Sequence, residues 1–156
     1  MKNRSVYGLS FLLIGILLGS FTAELALPNP IGYLLKEPQA PQDHLGEDQI
    51  RIYKDRVVLE IPDAKWARFK ATGSMVPTLM EDSNAIEVVP VCPEGIEVGD
   101  IVSYRVKGDT IIHRVAWKDV DEEGAYFVFK GDNNALPDPD RIRCSQIQRL
   151  VVALVY

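Results

Sequence analysis

Three kinds of polar side chain in this sequence could together carry out nucleophilic hydrolysis. Ser74 lies between Gly73 and Met75, and a serine hydroxyl becomes an effective nucleophile only when a base within hydrogen-bond reach removes its proton. His113 lies in the apolar sequence "TIIHRVAW", and an imidazole can accept that proton near neutral pH. The acidic loop "KGDNNALPDPDR", residues 130–141, supplies carboxylates that could orient the imidazole. The combination predicts a serine hydrolase.

Each of these residues also has a purely structural explanation. A Gly-Ser pair is common in turns, and loops rich in Asp, Asn and Pro ordinarily shape the backbone. Counting along a strand from Ile111, His113 shares a face with Ile111 and Val115, and a lone histidine on such a face is usually a core residue with satisfied hydrogen bonds. His44, the other histidine, lies in a proline-rich segment, where we expect it to be solvated.

The N-terminus predicts a membrane anchor. Lys2 and Arg4 precede an uncharged run, Ser5–Ala23. At about 1.5 Å per helical residue, this run comes close to the roughly 30 Å of a bilayer core. The basic residues predict a cytoplasmic N-terminus and an exported remainder. A cleavable signal peptide with "SFTA" at its cleavage site is the alternative, and both readings place residues 28–156 outside the cytoplasm.

Length, charge and cysteine content exclude several other classes. A chain of 156 residues indicates one folded domain. The net charge of −5, without a basic stripe, disfavours nucleic-acid binding. Cys92 and Cys144 are not arranged as zinc ligands. They could be two separate buried thiols, or one disulfide if the domain lies outside the cytosol. No metal or organic cofactor is expected.

The rest of the sequence predicts an all-β domain without a convincing helix after the anchor. Two short strands are expected around Lys54-Asp55, and a hairpin is expected with its turn at Lys107–Asp109. Further strands are predicted in the sequences "WARFKAT", "NAIEVVPV", "AYFVFKGD" and "IQRLVVALVY". The predicted organisation is a cytoplasmic tip and transmembrane helix in residues 1–27, a Pro-rich linker in 28–48, and a β-rich domain in 49–156.

Four short sequences, in order behind the anchor, resemble those of type I signal peptidases, most closely the archaeal and endoplasmic-reticulum branch: "TGSMVPTL", "VGDIVSY", "IIHRV" and "FKGDNNALPDPD". The resemblance covers about residues 70–152 and the anchor. It implies a mostly antiparallel β-sheet protease domain, anchored by one N-terminal helix, that removes signal peptides after small residues. The implied partners are signal-peptide-bearing pre-proteins, the lipid bilayer and the export machinery. The short N-terminus favours an archaeal cell membrane over the endoplasmic reticulum.

The resemblance also assigns roles to individual residues. Ser74 matches the nucleophile, and His113 matches the histidine base, which is a lysine in the bacterial branch. Asp132 matches the aspartate of the GDNN sequence, and Asp138 matches a second aspartate, the favoured partner of the histidine. Asp140 could exchange roles with Asp138 across the intervening proline.

The chain departs from the family pattern in two places. The family usually has serine where Thr72 stands. In relatives that hydroxyl binds the oxyanion together with the backbone N–H of the nucleophile, here Ser74, and threonine keeps the hydroxyl. Residues 80–98 form a long insertion, which we expect to contain an extra hairpin.

Two other classes of protein are weighed against this interpretation. A catalytically inactive, membrane-tethered β-domain could act as a binding module, but it would need neither the serine, the histidine nor the two aspartates. A self-cleaving protease related to SOS-type repressors would have a similar serine turn, but it would use a lysine base and usually carry a DNA-binding domain. The nearest lysine, Lys107, lies in the predicted hairpin turn, where it should be solvated.

Overall fold

The computed structural model describes residues 38–70 and 72–156. The predicted anchor and the first part of the linker lie outside these residues. The nine strands of the described chain are β1 Ile50–Ile52, β2 Val57–Leu59, β3 Lys65–Arg68, β4 Asn84–Val88, β5 Ile101–Val106, β6 Asp109–Asp121, β7 Gly124–Lys130, β8 Ile142–Arg143 and β9 Ile147–Val155. Over the same ranges, the helical elements are two short 3-10 turns, and no helix is long and apolar enough to cross a membrane. The prediction of a mostly antiparallel β domain is confirmed.

The strands form two antiparallel sheets. Strands β1 and β2 make a separate hairpin, as expected around Lys54-Asp55. The other seven strands form one sheet in the order β3-β4-β9-β5-β6-β7-β8. The predicted β5–β6 hairpin is present, and its turn consists of Lys107 and Gly108, both at positive φ (52° and 95°). Asp109, expected in the turn, instead begins β6 opposite Val106.

Residues 80–98 contain one strand and no hairpin, so the predicted extra hairpin is wrong. Strand β4 pairs with β3 on one side and with β9, from the far end of the chain, on the other. The sequence after β4 is a loop that a disulfide between Cys92 and Cys144 ties to the β8–β9 connection. The two cysteines are therefore not separate thiols.

Two hydrophobic clusters lie on opposite faces of the seven-stranded sheet. Neighbouring residues of a strand point to opposite faces, so Val102 packs in the larger cluster while Ile101 packs in the smaller one. The same alternation places His113 on the face of the larger cluster, with Ile111 and Val115, and Arg114 on the other face. The larger cluster consists of Ile96, Val102, Tyr104, Val115, Phe127, Phe129, Ile142 and Leu150, and the smaller of Met75, Leu79, Ala85, Ile101 and Val151.

The described end of the linker, residues 38–46, contains no helix or strand but lies against the domain. His44 was expected to be solvated, and this is wrong. Its side chain is 19% exposed, and its Nε2 lies 2.9 Å from Oδ1 of the buried Asp100. A buried carboxylate needs hydrogen-bond partners, and the imidazole supplies one of them.

Candidate active site

The structure brings three of the predicted site residues into a hydrogen-bonded line. Ser74 Oγ lies 3.0 Å from His113 Nε2, and His113 Nδ1 lies 2.6 Å from Asp138 Oδ2. An ionised carboxylate can only accept a hydrogen bond, so Nδ1 carries the proton that faces Asp138. The lone pair of Nε2 then points at the serine hydroxyl. This is the arrangement in which a histidine can remove the proton of an attacking serine.

A tight turn presents Ser74 to His113 of β6. Gly73 has a φ of +72°, a conformation that favours glycine. Met75 and Leu79, which follow the serine, are buried in the smaller cluster, and Leu79 N donates to Met75 O at 2.9 Å. The methionine of the Ser-Met-x-Pro sequence therefore anchors the turn in the core, while Ser74 itself is partly exposed.

Backbone contacts with the GDNN loop hold the serine turn in place. Asn133 N donates to Ser74 O at 2.8 Å, and its side-chain amide donates to Gly73 O at 3.0 Å. A side chain on Gly131 would collide with Ser74 O, because a Cβ there would lie only 2.6 Å away. Gly131 therefore allows the two loop backbones to approach closely, and Asn133 adds a side-chain hydrogen bond between them.

Strand β6 and the strands beside it position the other two residues of the line. His113 is buried in β6, opposite Val102 of β5. Asp138 lies in the loop after β7, where its N–H donates to Phe129 O at 2.8 Å. Tyr104 of β5 donates its phenol hydrogen to Asp138 Oδ2, the same oxygen that faces the histidine.

Tyr104 is a site residue that the sequence interpretation missed. Its ring stacks on Phe129 with the centroids 4.3 Å apart. Burial, and then the hydrogen bond to Asp138, raise the pKa of Tyr104 well above its ordinary value, so the phenol keeps its proton and remains a donor. The alternation of side chains along a strand could have identified it. Val102 of β5 lies opposite His113 of β6, and Tyr104, two residues after Val102, points to the same face of the sheet.

Asp132 does not contact the histidine but forms an ion pair with the next residue of β6. Arg114 Nε and Nη2 donate to its two carboxylate oxygens at 2.8 and 2.7 Å, and the hydroxyl of Thr78 also donates to it. Burial acts to raise the pKa of Asp132, but these hydrogen bonds outweigh burial and hold the pKa below its ordinary value. Asp132 therefore ties the GDNN loop to β6 and to the serine turn.

The remaining acidic candidate points away from the line. Asp140 Oδ2 lies 3.4 Å from Lys107 Nζ, and both side chains are exposed. Of the two aspartates that could have exchanged roles, Asp138 is the one in contact with His113.

A largely apolar groove lies beside the serine turn and is lined in part by Thr72 and Gly73. Thr72 Oγ1 lies 3.1 Å from Ser74 Oγ, so a second hydroxyl is next to the position where a bound carbonyl would react. The groove has a volume of about 310 Å³. Its apolar lining includes Phe69, Met75, Val76, Leu79 and Ile112. Such a groove suits a short apolar side chain next to the reacting bond.

The hydroxyl, imidazole and carboxylate groups of the site suit acid–base and nucleophilic chemistry. Within residues 38–70 and 72–156, no group of three His, Cys, Asp or Glu side chains is arranged to hold a metal ion.

Comparisons of the chain with protein-family models, with curated proteins and with solved structures find no match. The site geometry and the sequence resemblance are therefore what indicate the function of this chain.

Proposed function

We propose that this protein is a membrane-anchored serine endopeptidase that removes signal peptides from exported pre-proteins, as type I signal peptidases of the archaeal and endoplasmic-reticulum branch do. One observation carries the proposal: Ser74, His113 and Asp138 come from three separate parts of the chain and meet within hydrogen-bond distance. A binding module or a structural domain has no need of this alignment. The motif sequences that carry the resemblance supply all three residues.

The reaction follows from the proton positions in the line. Ser74 Oγ attacks the carbonyl carbon of the scissile bond while His113 Nε2 takes the hydroxyl proton. Asp138 stabilises the imidazolium, which then gives the proton to the leaving amine. Water, deprotonated by His113, hydrolyses the acyl-enzyme and frees Ser74.

The negative charge on the tetrahedral carbonyl oxygen requires donors. The backbone N–H of Ser74 and the hydroxyl of Thr72, whose Oγ1 is 3.1 Å from Ser74 Oγ, are the groups proposed for this role. An oxyanion donor of this kind is worth roughly 3–4 kcal/mol of transition-state stabilisation. Threonine keeps the hydroxyl that the family ordinarily takes from serine.

The groove supports a preference for small residues before the cut. Its lining combines Thr72 with the buried Met75 and Leu79 and with Ile112, so much of the surface beside the serine turn is apolar. A methyl side chain can rest on such an apolar surface without leaving polar groups unpaired.

The proposed location is the outer face of a membrane, with the archaeal cell membrane favoured. The uncharged run near the N-terminus supports an anchor. The Cys92–Cys144 disulfide supports a domain outside the reducing cytosol. If enzyme and pre-protein share one bilayer, their effective concentration is high, and affinity in solution can be weak. Association with the export machinery would bring the pre-protein to the site.

The proposal is tested with the full-length protein in liposomes and a pre-protein carrying an Ala-x-Ala site. The wild type should cut directly after the second alanine, as read from product masses. Ser74→Ala should fall to background, and Ser145→Ala, at an exposed serine far along the chain, should keep wild-type activity. Absence of cleavage by the wild type, or equal cleavage by Ser74→Ala, would refute the protease function and favour a tethered binding domain.

A further inference from the structure

The described end of the linker is bound to the domain at Asp100 and Arg114. We call residues 39–44 the N-terminal strap. Gln42 N donates to Asp100 Oδ1 at 2.9 Å, and His44 Nε2 lies 2.9 Å from the same oxygen. At the other end of the strap, Gln39 O accepts a hydrogen bond from Arg114 Nη1 at 3.1 Å.

The strap backbone fits closely against Gly99, which lies two residues before β5. A Cβ on Gly99 would overlap the carbonyl oxygen of Ala40. Gly99 also has a φ of +105°, which disfavours any other residue. The contact between the strap and the domain is therefore a close backbone approach and not a loose side-chain association.

The strap completes the hydrogen bonding of a fully buried carboxylate. Asp100 is 0% exposed. Its Oδ2 accepts a hydrogen bond from Glu97 N at 2.8 Å. Its Oδ1 is hydrogen-bonded to Gln42 N and to His44 Nε2 of the strap. Release of the strap would remove both partners of Oδ1, and an unpaired buried carboxylate is costly. The docked strap is thus the favoured arrangement.

Arg114 links the strap to the GDNN loop. Nη1 of this buried guanidinium donates to Gln39 O of the strap and to Gly99 O. Its Nε and Nη2 donate to the carboxylate of Asp132. A guanidinium is rigid and planar, so the partners of Nη1 help to fix the plane in which Nε and Nη2 meet a carboxylate.

The loop that Arg114 holds is the one that supports the nucleophile. Asn133, directly after Asp132, donates its N–H to Ser74 O. Thr78 of the serine turn donates to Asp132 itself. A continuous set of contacts therefore runs from Gln39 O through Arg114 and Asp132 to the turn that carries Ser74.

From these contacts we infer that the N-terminal strap positions the active site, so the proteolytic domain reaches full activity only with the strap docked. The inference rests on the proposed protease function and adds the described end of the linker to the parts of the chain that position the active site. Gln39 acts as a positioning residue through Arg114 and the GDNN loop, and Gln42 and His44 hold the strap in place on Asp100. A shift of the nucleophile by about 1 Å can reduce a rate by about a hundredfold.

Two glycines provide a matched pair of variants. Gly99→Ala forces the strap away, while Gly124→Ala is strained to the same degree, with φ values of +105° and +104°. A Cβ on Gly124 has no neighbour within 4 Å, so this variant reports the cost of strain alone. A second pair is His44→Ala, which removes a partner of Asp100, and His44→Gln, whose amide can still donate.

Two readouts are taken on the full-length protein in liposomes. One is the rate at which a small fluorophosphonate labels Ser74, and the other is hydrogen exchange at the Asn133 amide. Gly99→Ala should label at least about tenfold more slowly than Gly124→Ala and should exchange faster at Asn133. His44→Ala should change in the same direction, and His44→Gln should restore most of the wild-type rate. Equal labelling and equal exchange in the two glycine variants would overturn the inference.

The two readouts separate failure of the inference from failure of the proposed function. If the wild type is not labelled at Ser74 and does not cleave the Ala-x-Ala pre-protein, the protease function fails. Exchange at Asn133 then still decides the structural claim: faster exchange in Gly99→Ala supports coupling between the strap and the loop, and unchanged exchange refutes it.

Discussion

Tyr104 and His113 contact the same carboxylate oxygen of Asp138. The two side chains lie on adjacent strands, β5 and β6, and both are buried. The carboxylate therefore has two fixed donors, and its direction does not depend on the histidine alone. Second donors of this kind hold a catalytic carboxylate in a productive orientation.

Removal of the Tyr104 hydroxyl should slow catalysis without destroying the site. Tyr104→Phe keeps the ring that stacks on Phe129 but deletes one donor to Asp138. We expect kcat to fall about threefold to tenfold, corresponding to the roughly 1 kcal/mol of a typical hydrogen bond. Tyr126→Phe, at another buried tyrosine of the sheet, is the control, and an equal loss in both variants would contradict the role given to Tyr104.

The two aspartates of the PDPD sequence should behave very differently. Asp138→Asn places a neutral amide beside His113 Nδ1, which no longer favours the productive tautomer, so kcat should fall by about 10³–10⁴. Asp140→Asn removes only an exposed contact with Lys107 and should leave kcat within about twofold of wild type. The comparison is made by steady-state cleavage of a pre-protein. The reverse order of effects would show that Asp140 is the partner of the histidine.

The proposed oxyanion donor is tested by a matched pair at position 72. Thr72→Val keeps the shape of the side chain and removes its hydroxyl, so kcat should fall by about 10²–10³ while KM changes little. Thr72→Ser keeps the hydroxyl and should retain activity close to that of the wild type. If Thr72→Val were as active as Thr72→Ser, the hydroxyl would have no part in stabilising the oxyanion.

Asp132 should make a contribution to stability that disappears in acid. The folded-state pKa is below the ordinary value, because the hydrogen bonds from Arg114 and Thr78 outweigh burial. The contribution is therefore fully present above the unfolded pKa of about 3.9 and is lost as the pH falls through the folded pKa. The difference in free energy of unfolding between wild type and Asp132→Asn should be largest above about pH 5 and should shrink below about pH 4.

Urea denaturation across this pH range measures the difference. Asp55→Asn removes an exposed carboxylate and serves as the control, since its effect should be small at every pH. A destabilisation by Asp132→Asn that stays constant with pH would mean that ionisation of Asp132 does not stabilise the fold.

Local sequence patterns were sufficient to predict several elements. Alternation and the Lys107-Gly108 turn predicted the β5–β6 hairpin, because a two-residue turn with positive φ is encoded by the residues themselves. The same alternation correctly placed His113 on the face of Ile111 and Val115. Residue chemistry alone points to Ser74 and His113, the resemblance selects Asp138, and the structure brings Ser74 and Asp138 into contact with His113.

Features that depend on distant partners were not predictable in this way. Residues 80–98 contain no hairpin because β4 pairs with β9, whose sequence lies more than fifty residues further along. His44 was expected in solvent because nothing near it in the sequence shows that Asp100 is buried beside it. The resemblance ranked Asp138 above Asp132, but only the three-dimensional position of Arg114 explains why Asp132 pairs with the arginine.

The central claim is that Ser74 becomes covalently acylated by the substrate. The most direct measurement mixes the full-length protein in liposomes with a pre-protein, stops the reaction in acid within the first turnover, and maps adducts by peptide mass spectrometry. We expect the signal-peptide fragment to be esterified to Ser74 in the wild type and to be absent from Ser74→Ala and His113→Ala. Cleavage without any adduct on Ser74, or an adduct on another residue that persists in Ser74→Ala, would contradict the mechanism.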